Sequence, residues 1–121
     1  MDPLIITVAP VGAEVTKENN PNVPYTPEEI AEECYRAWNE GASLAHIHAR
    51  NEVGTSTQDP EVYARIIELV QAKTDMIIQV SVGGAVGMTA EERVRPVYLK
   101  PEMATLTCGT CNFGDGIFTN S

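Results

Sequence analysis

His46 and His48, the two histidines of the chain, stand one residue apart in His46-Ile47-His48-Ala49-Arg50. On an extended strand, side chains at i and i+2 share a face, so both imidazoles would point the same way with Arg50 beside them. Two histidines so placed can supply two nitrogen ligands to one divalent metal, typically zinc, with a carboxylate and a water or substrate completing a catalytic site. The plainer alternative is a pair of strand-end histidines hydrogen-bonded to their neighbours. A second set comprises Glu14 (in Gly12-Ala13-Glu14), Ser81 and Thr105. Singly they read as a solvated loop carboxylate, a turn residue and ordinary strand composition. If their strands are parallel, all three reach the same end as the histidines and would line a polar substrate pocket. Gly83-Gly84-Ala85-Val86-Gly87 matches neither G-x-G-x-x-G nor a P-loop with its Lys, and is read as a turn where backbone can approach a ligand. Cys108-Gly109-Thr110-Cys111 has the spacing of a redox pair or half a zinc site.

The elements that must position these residues alternate along the chain. Leu4–Ala9 is rich in β-branched residues and stops at Pro10, as a buried strand would. Thr26-Pro27-Glu28-Glu29 carries a capping box and a first-turn proline, and Ile30, Cys34 and Trp38 then form one apolar face ending near Gly41. A second strand runs from Ser43 to Arg50. Asp59-Pro60 starts a second helix with Val62, Ile66 and Val70 as its stripe, and Asp75–Ser81 is a third strand. A further capping box at Thr89 opens a short helix that Pro96 distorts, and Met103–Cys108 is a fourth strand.

The order β-α-β-α-β-α-β argues for an α/β fold with parallel strands and right-handed crossovers. Strand starts near residues 4, 43, 76 and 103 recur about every 33 residues, so eight units would need roughly 260 residues, close to a complete (βα)₈ barrel. Residues 1–121 are therefore expected to be a partial domain, the N-terminal half of a TIM barrel holding strands one to four, with its C-terminal half absent. A four-stranded doubly wound domain is the competing architecture.

The 121 residues carry 8 Lys+Arg against 17 Asp+Glu, a net charge of -9, the wrong sign for gripping a phosphate backbone. Nucleic acid is thereby excluded as an expected partner. No apolar run approaches membrane-spanning length, three cysteines imply no disulfide framework, and the basic start of a signal peptide is missing. The expected compartment is the cytoplasm.

Taken together, Gly12-Ala13-Glu14, His46-Ile47-His48-Ala49-Arg50, Gln79 to Gly87, Lys100 to Leu106 and Asn112-Phe113-Gly114-Asp115 resemble the β-keto acid cleavage enzymes, a family once known only as a domain of unknown function. The resemblance implies a zinc-dependent (βα)₈ acyltransferase, usually a homotetramer. Such an enzyme exchanges the acyl group of a β-keto acid with acetyl-CoA as co-substrate, giving acetoacetate and a new CoA thioester. It implies that His46 and His48 bind zinc, that Ser81 and Thr105 hold the substrate carboxylate, and that Glu14 faces a substrate ammonium group. A buried ammonium needs such a counter-charge, so an amino-substituted substrate, 3-keto-5-aminohexanoate of lysine fermentation, is the preferred expectation. The family draws its third zinc ligand, a glutamate, and an Arg-Asp pair for proton abstraction from its C-terminal half. No catalytic residue is therefore assigned within this chain, which by itself would hold metal weakly, turn nothing over and expose apolar sheet surface. Val82, Cys108 and Cys111 depart from the family pattern and bear on substrate preference rather than reaction type.

Two other readings compete. A metal-dependent amidohydrolase half-barrel also uses H-x-H, but on its first strand. A non-catalytic domain could join Cys108 and Cys111 to the histidines as a structural Cys₂His₂ zinc site.

Overall fold

Strand order decides between the two architectures. In the computed structural model, which describes residues 3–120, β1 (Thr7–Val8), β2 (Leu44–Ile47), β5 (Ile77–Val80) and β6 (Met103–Ala104) form one sheet in that order. All three pairings are parallel. The helices between them, α1 (Pro27–Asn39) and α2 (Pro60–Lys73), pack against each other and against the same face of the sheet. A doubly wound sheet reverses its strand order and is covered on both faces. Strands in chain order with helices on one side are consecutive units of a (βα)₈ barrel.

Local chemistry sets the helix ends. Thr26 Oγ1 accepts from Glu29 N at 3.1 Å and the Glu29 carboxylate accepts from Thr26 N, so the expected capping box is formed, with Pro27 in the first turn. Asp59 caps α2 by accepting from Glu61 N. Thr89 and Glu92 form a second box over α3 (Ala90–Arg93), and Pro96 lies in the 3₁₀ turn Arg95–Leu99 that follows. The core lies between helices and sheet: Ile30 and Cys34 from α1, Tyr63, Ile66 and Val70 from α2, with Ala45, Ile47, Ile78 and Val80 beneath them. Each large aliphatic or aromatic side chain so buried contributes about 1.5–3 kcal/mol. Alternation then turns Leu44, His46, Ile77 and Gln79 to the opposite face, the barrel interior.

The strands are shorter than expected. Strand one pairs over Thr7–Val8 rather than Leu4–Ala9, because it is an edge whose neighbour offers two register partners; Leu4 and Ile5 stand exposed. Strand two does not run straight from Ser43 to Arg50. It leaves the sheet at His48, and β3 (Ala49–Arg50) pairs antiparallel with β4 (Ser56–Thr57). Strand four is Met103–Ala104, so Thr105 lies just past it and Cys108 well beyond. Beyond strand four lies an antiparallel hairpin that the alternation of strand and helix does not predict, β7 (Cys111–Phe113) and β8 (Gly116–Phe118). Its signal was Gly114-Asp115, a two-residue loop with Gly114 at φ +61°, the left-handed start that tight hairpins require.

Candidate metal and substrate site

Strand β2 carries His46 to the interior face, in register with Gln79 on β5. His46 Nδ1 and Gln79 Oε1 lie 2.7 Å apart. With the amide oxygen facing the ring, Nδ1 is the donor of this hydrogen bond, and in the neutral ring that leaves the lone pair on Nε2. His48, one residue past the end of β2, sets its imidazole beside that of His46. Their centroids are 5.1 Å apart and the ring planes meet edge-on at 72°. His48 Nδ1 is buried and has no hydrogen-bond partner. Burial, then the neighbouring His46 and Arg50, push the His48 pKa down to about 4, so this ring is neutral near pH 7 and offers a lone pair, the state metal ligation requires. An orphaned buried nitrogen beside a ring with a free Nε2 fits two ligands of a divalent ion. Among the described residues no three His, Cys, Asp or Glu side chains gather closely enough to hold one. Cys108 and Cys111 are exposed free thiols outside this cluster, so the Cys₂His₂ arrangement is not formed.

Arg50, expected beside the imidazoles and felt by His48 as a neighbouring charge, also has a structural role. It is 3% exposed, and its guanidinium donates to Gly12 O, to Val15 O at 2.9 Å and to Gly54 O at 2.8 Å. The fork clamps the loop after β1 onto the segment that carries His48. Gly54 at the far side has φ +83°, and any Cβ there would strike the Tyr25 ring, which lies under the guanidinium. The clamped loop presents Glu14 to the mouth of a cavity of about 250 Å³, which His48, Gly83, Gly84, Phe113 and Phe118 also line. Glu14 is exposed and also borders a second hollow of about 540 Å³ next to Arg50 and Lys17.

Ser81 and Thr105 sit at the ends of β5 and β6, as expected, but do not line that cavity. Ser81 Oγ accepts from Gly83 N at 3.1 Å and Thr105 Oγ1 from Val82 N at 3.0 Å. Both hydroxyls brace the glycine turn, and each retains its own proton to donate. Gly84 has φ +61°, and a Cβ there would lie 2.7 Å from Met88 Sδ, which explains the glycine. Sequence reasoning missed the supports behind this turn. Buried Gln58 donates to Ser81 O and Arg93 O and accepts from Tyr63 Oη. Buried Arg93 donates to Val82 O, Thr119 O and Asn120 Oδ1 and lies over Phe118. Arg93 thereby fastens the hairpin whose two phenylalanines wall the cavity. Nothing in local patterning marks these residues, since each acts across distant segments.

Comparison with known proteins gives the family. The model of the beta-keto acid cleavage enzyme family matches residues 3–121. The chain belongs to that family. It is 58% identical over 123 residues to the 3-keto-5-aminohexanoate cleavage enzyme of Acetoanaerobium sticklandii, and 59% identical over 123 residues to the protein of the same name from Fusobacterium nucleatum. Each of these matches covers 100% of the chain and 45% of the relative. It is also 40% identical over 113 residues to the 3,5-dioxohexanoate:acetyl-CoA acetone transferase of Paraburkholderia graminis, covering 92% of the chain and 36% of that protein. The solved binary complex of ObcA with oxaloacetate superimposes with a TM-score of 0.67 at 25% identity, over 79% of the chain and 25% of ObcA. The chain thus spans about half the length of the family members from A. sticklandii and F. nucleatum.

Proposed function

We propose that residues 1–121 form the N-terminal half of a (βα)₈ domain, and that the whole protein is a zinc-dependent acyltransferase. It cleaves a β-keto acid by exchange with acetyl-CoA, giving acetoacetate and a CoA thioester. The substrate proposed is 3-keto-5-aminohexanoate, which places the protein in lysine fermentation in the cytoplasm, working as a homotetramer. The observation that carries this reading is the pair of adjacent imidazoles, 5.1 Å apart, one of which, His48, lines a cavity together with Glu14. The relatives named for this cleavage or for an acetyl-CoA transfer support the reaction class.

His46 and His48 would hold the metal, which when bound supplies Lewis acidity to polarise the keto oxygen. The third ligand and the residues that abstract a proton belong to the part of the protein beyond this chain. Glu14 supplies the counter-charge that an ammonium taken out of bulk water needs. Ser81 and Thr105, each already accepting one backbone N–H, would each have a hydroxyl proton left for the substrate carboxylate, although neither lines the cavity that Glu14 and His48 share. The glycine turn Gly83-Gly84 lets the substrate approach backbone closely.

The test is the zinc content of the full-length protein and its formation of acetoacetate from acetyl-CoA and 5-amino-3-oxohexanoate. His46→Ala is expected to lose bound zinc and activity together. Full zinc and full activity in that variant would refute the assignment.

A further inference from the structure

We propose that Gln79 is a positioning residue for His46, fixing the imidazole in the tautomer that leaves the Nε2 lone pair free for a ligand. The inference rests on the metal reading above for its consequence, and on the geometry of two side chains for its substance. His46 and Gln79 are register partners on adjacent parallel strands, so their side chains leave the sheet side by side on the same face. Both are half-buried, and Gln79 is the one polar residue in Ile77-Ile78-Gln79-Val80. A polar side chain in a buried strand costs stability unless it is hydrogen-bonded. The His46 contact, 2.7 Å from Nδ1 to Oε1, is the bond that Gln79 makes.

The consequence is specific. With Oε1 accepting, the proton must sit on Nδ1, and a cation meets the lone pair of Nε2. Were the amide turned round, its NH₂ would donate to Nδ1, the proton would move to Nε2, and the ring would present a hydrogen where a ligand is needed. Outer partners of this kind orient metal-bound histidines, and their loss costs about 10–100-fold in metal affinity. His48 differs, since its Nδ1, the nitrogen read above as a ligand, is buried without a hydrogen-bond partner. Of the two rings, His46 is the one held by a cross-strand hydrogen bond.

Two measurements on the full-length protein test this. In metal-free, ¹⁵N-histidine-labelled protein, long-range ¹⁵N–¹H correlation should show His46 protonated at Nδ1. Gln79→Met, which keeps length but removes the acceptor, should lose that preference and weaken zinc binding about 10–100-fold in chelator competition. Gln79→Glu, which retains an acceptor, should keep both near wild type, a rescue that a merely space-filling role would not produce. A wild-type ring protonated at Nε2, or wild-type tautomer and zinc affinity in Gln79→Met, would overturn the proposal. If Gln79→Met does not fold, the wild-type tautomer alone still decides. A wild-type protein with the Nδ1 tautomer and no measurable zinc affinity would uphold the role of Gln79 while removing the metal reading itself.

Discussion

Glu14, His48 and Arg50 form a chain of dependence at the scale of single residues. The carboxylate reaches the cavity on a loop that has no sheet pairing of its own, and that loop is held by Arg50 through the carbonyls of Gly12 and Val15. A lysine could not reproduce this fork, because it offers a point charge in place of a rigid planar array. Arg50→Lys is expected to destabilise the protein by about 1.5–3 kcal/mol, the scale of lost charge-assisted hydrogen bonds. It should also quicken hydrogen exchange across residues 12–15; unchanged exchange there would remove the clamp from the account. Glu14→Gln carries the functional counterpart. It is expected to raise KM for an amino-substituted β-keto acid several-fold more than for an uncharged one, since the charge pair is lost in only one of the two complexes. Equal losses in steady-state assays of both substrates would deny Glu14 its role.

Helix α1 shows how an element is stabilised by its first turn. The Glu29 carboxylate accepts from Tyr25 N and Thr26 N and meets Lys17 Nζ at 2.8 Å. The Lys17 hydrogen bond, followed by the two backbone N–H groups, pulls the Glu29 pKa down from 4.5 to about 2. A folded-state value below the unfolded one means that this stabilisation is complete above pH 4.5 and is lost as pH falls through about 2. Because the side chain is 42% exposed, solvent screening keeps the effect small, about 0.5–1 kcal/mol. Glu29→Gln should therefore lower the urea midpoint at neutral pH, with the difference from wild type shrinking as pH drops from 4.5 toward 2. A difference that ignores pH would show that packing, and not the charge, is responsible.

At the scale of the whole molecule, the sheet has one face covered and one open. The helix side buries a continuous core, while on and beside the other face Ile5 is 74% exposed, Ile77 42% and Leu106 82%. Further barrel strands would cover such a surface, and without them it favours association. Residues 1–121 expressed alone are expected to bind a hydrophobic dye and to elute as oligomers, whereas the full-length protein should bind little dye. A monomeric segment without dye binding would contradict the half-barrel reading.

Caps, apolar stripes and the alternation of strand with helix are local patterns. They made α1, α2, the parallel sheet and the pairing of His46 with His48 legible in the sequence, because Thr26 reaches Glu29 and His46 neighbours His48 whatever the rest of the chain does. Strand lengths were not legible, since pairing at an edge depends on what the neighbouring strand offers. The site's supports were hidden for the same reason. His46 meets Gln79 across 33 residues and Arg50 meets Gly12 across 38, and the hairpin reaches the glycine turn through Arg93. Such contacts follow from how the strands are laid side by side, and they decide which nitrogen His46 presents, where Glu14 is held and what walls the cavity.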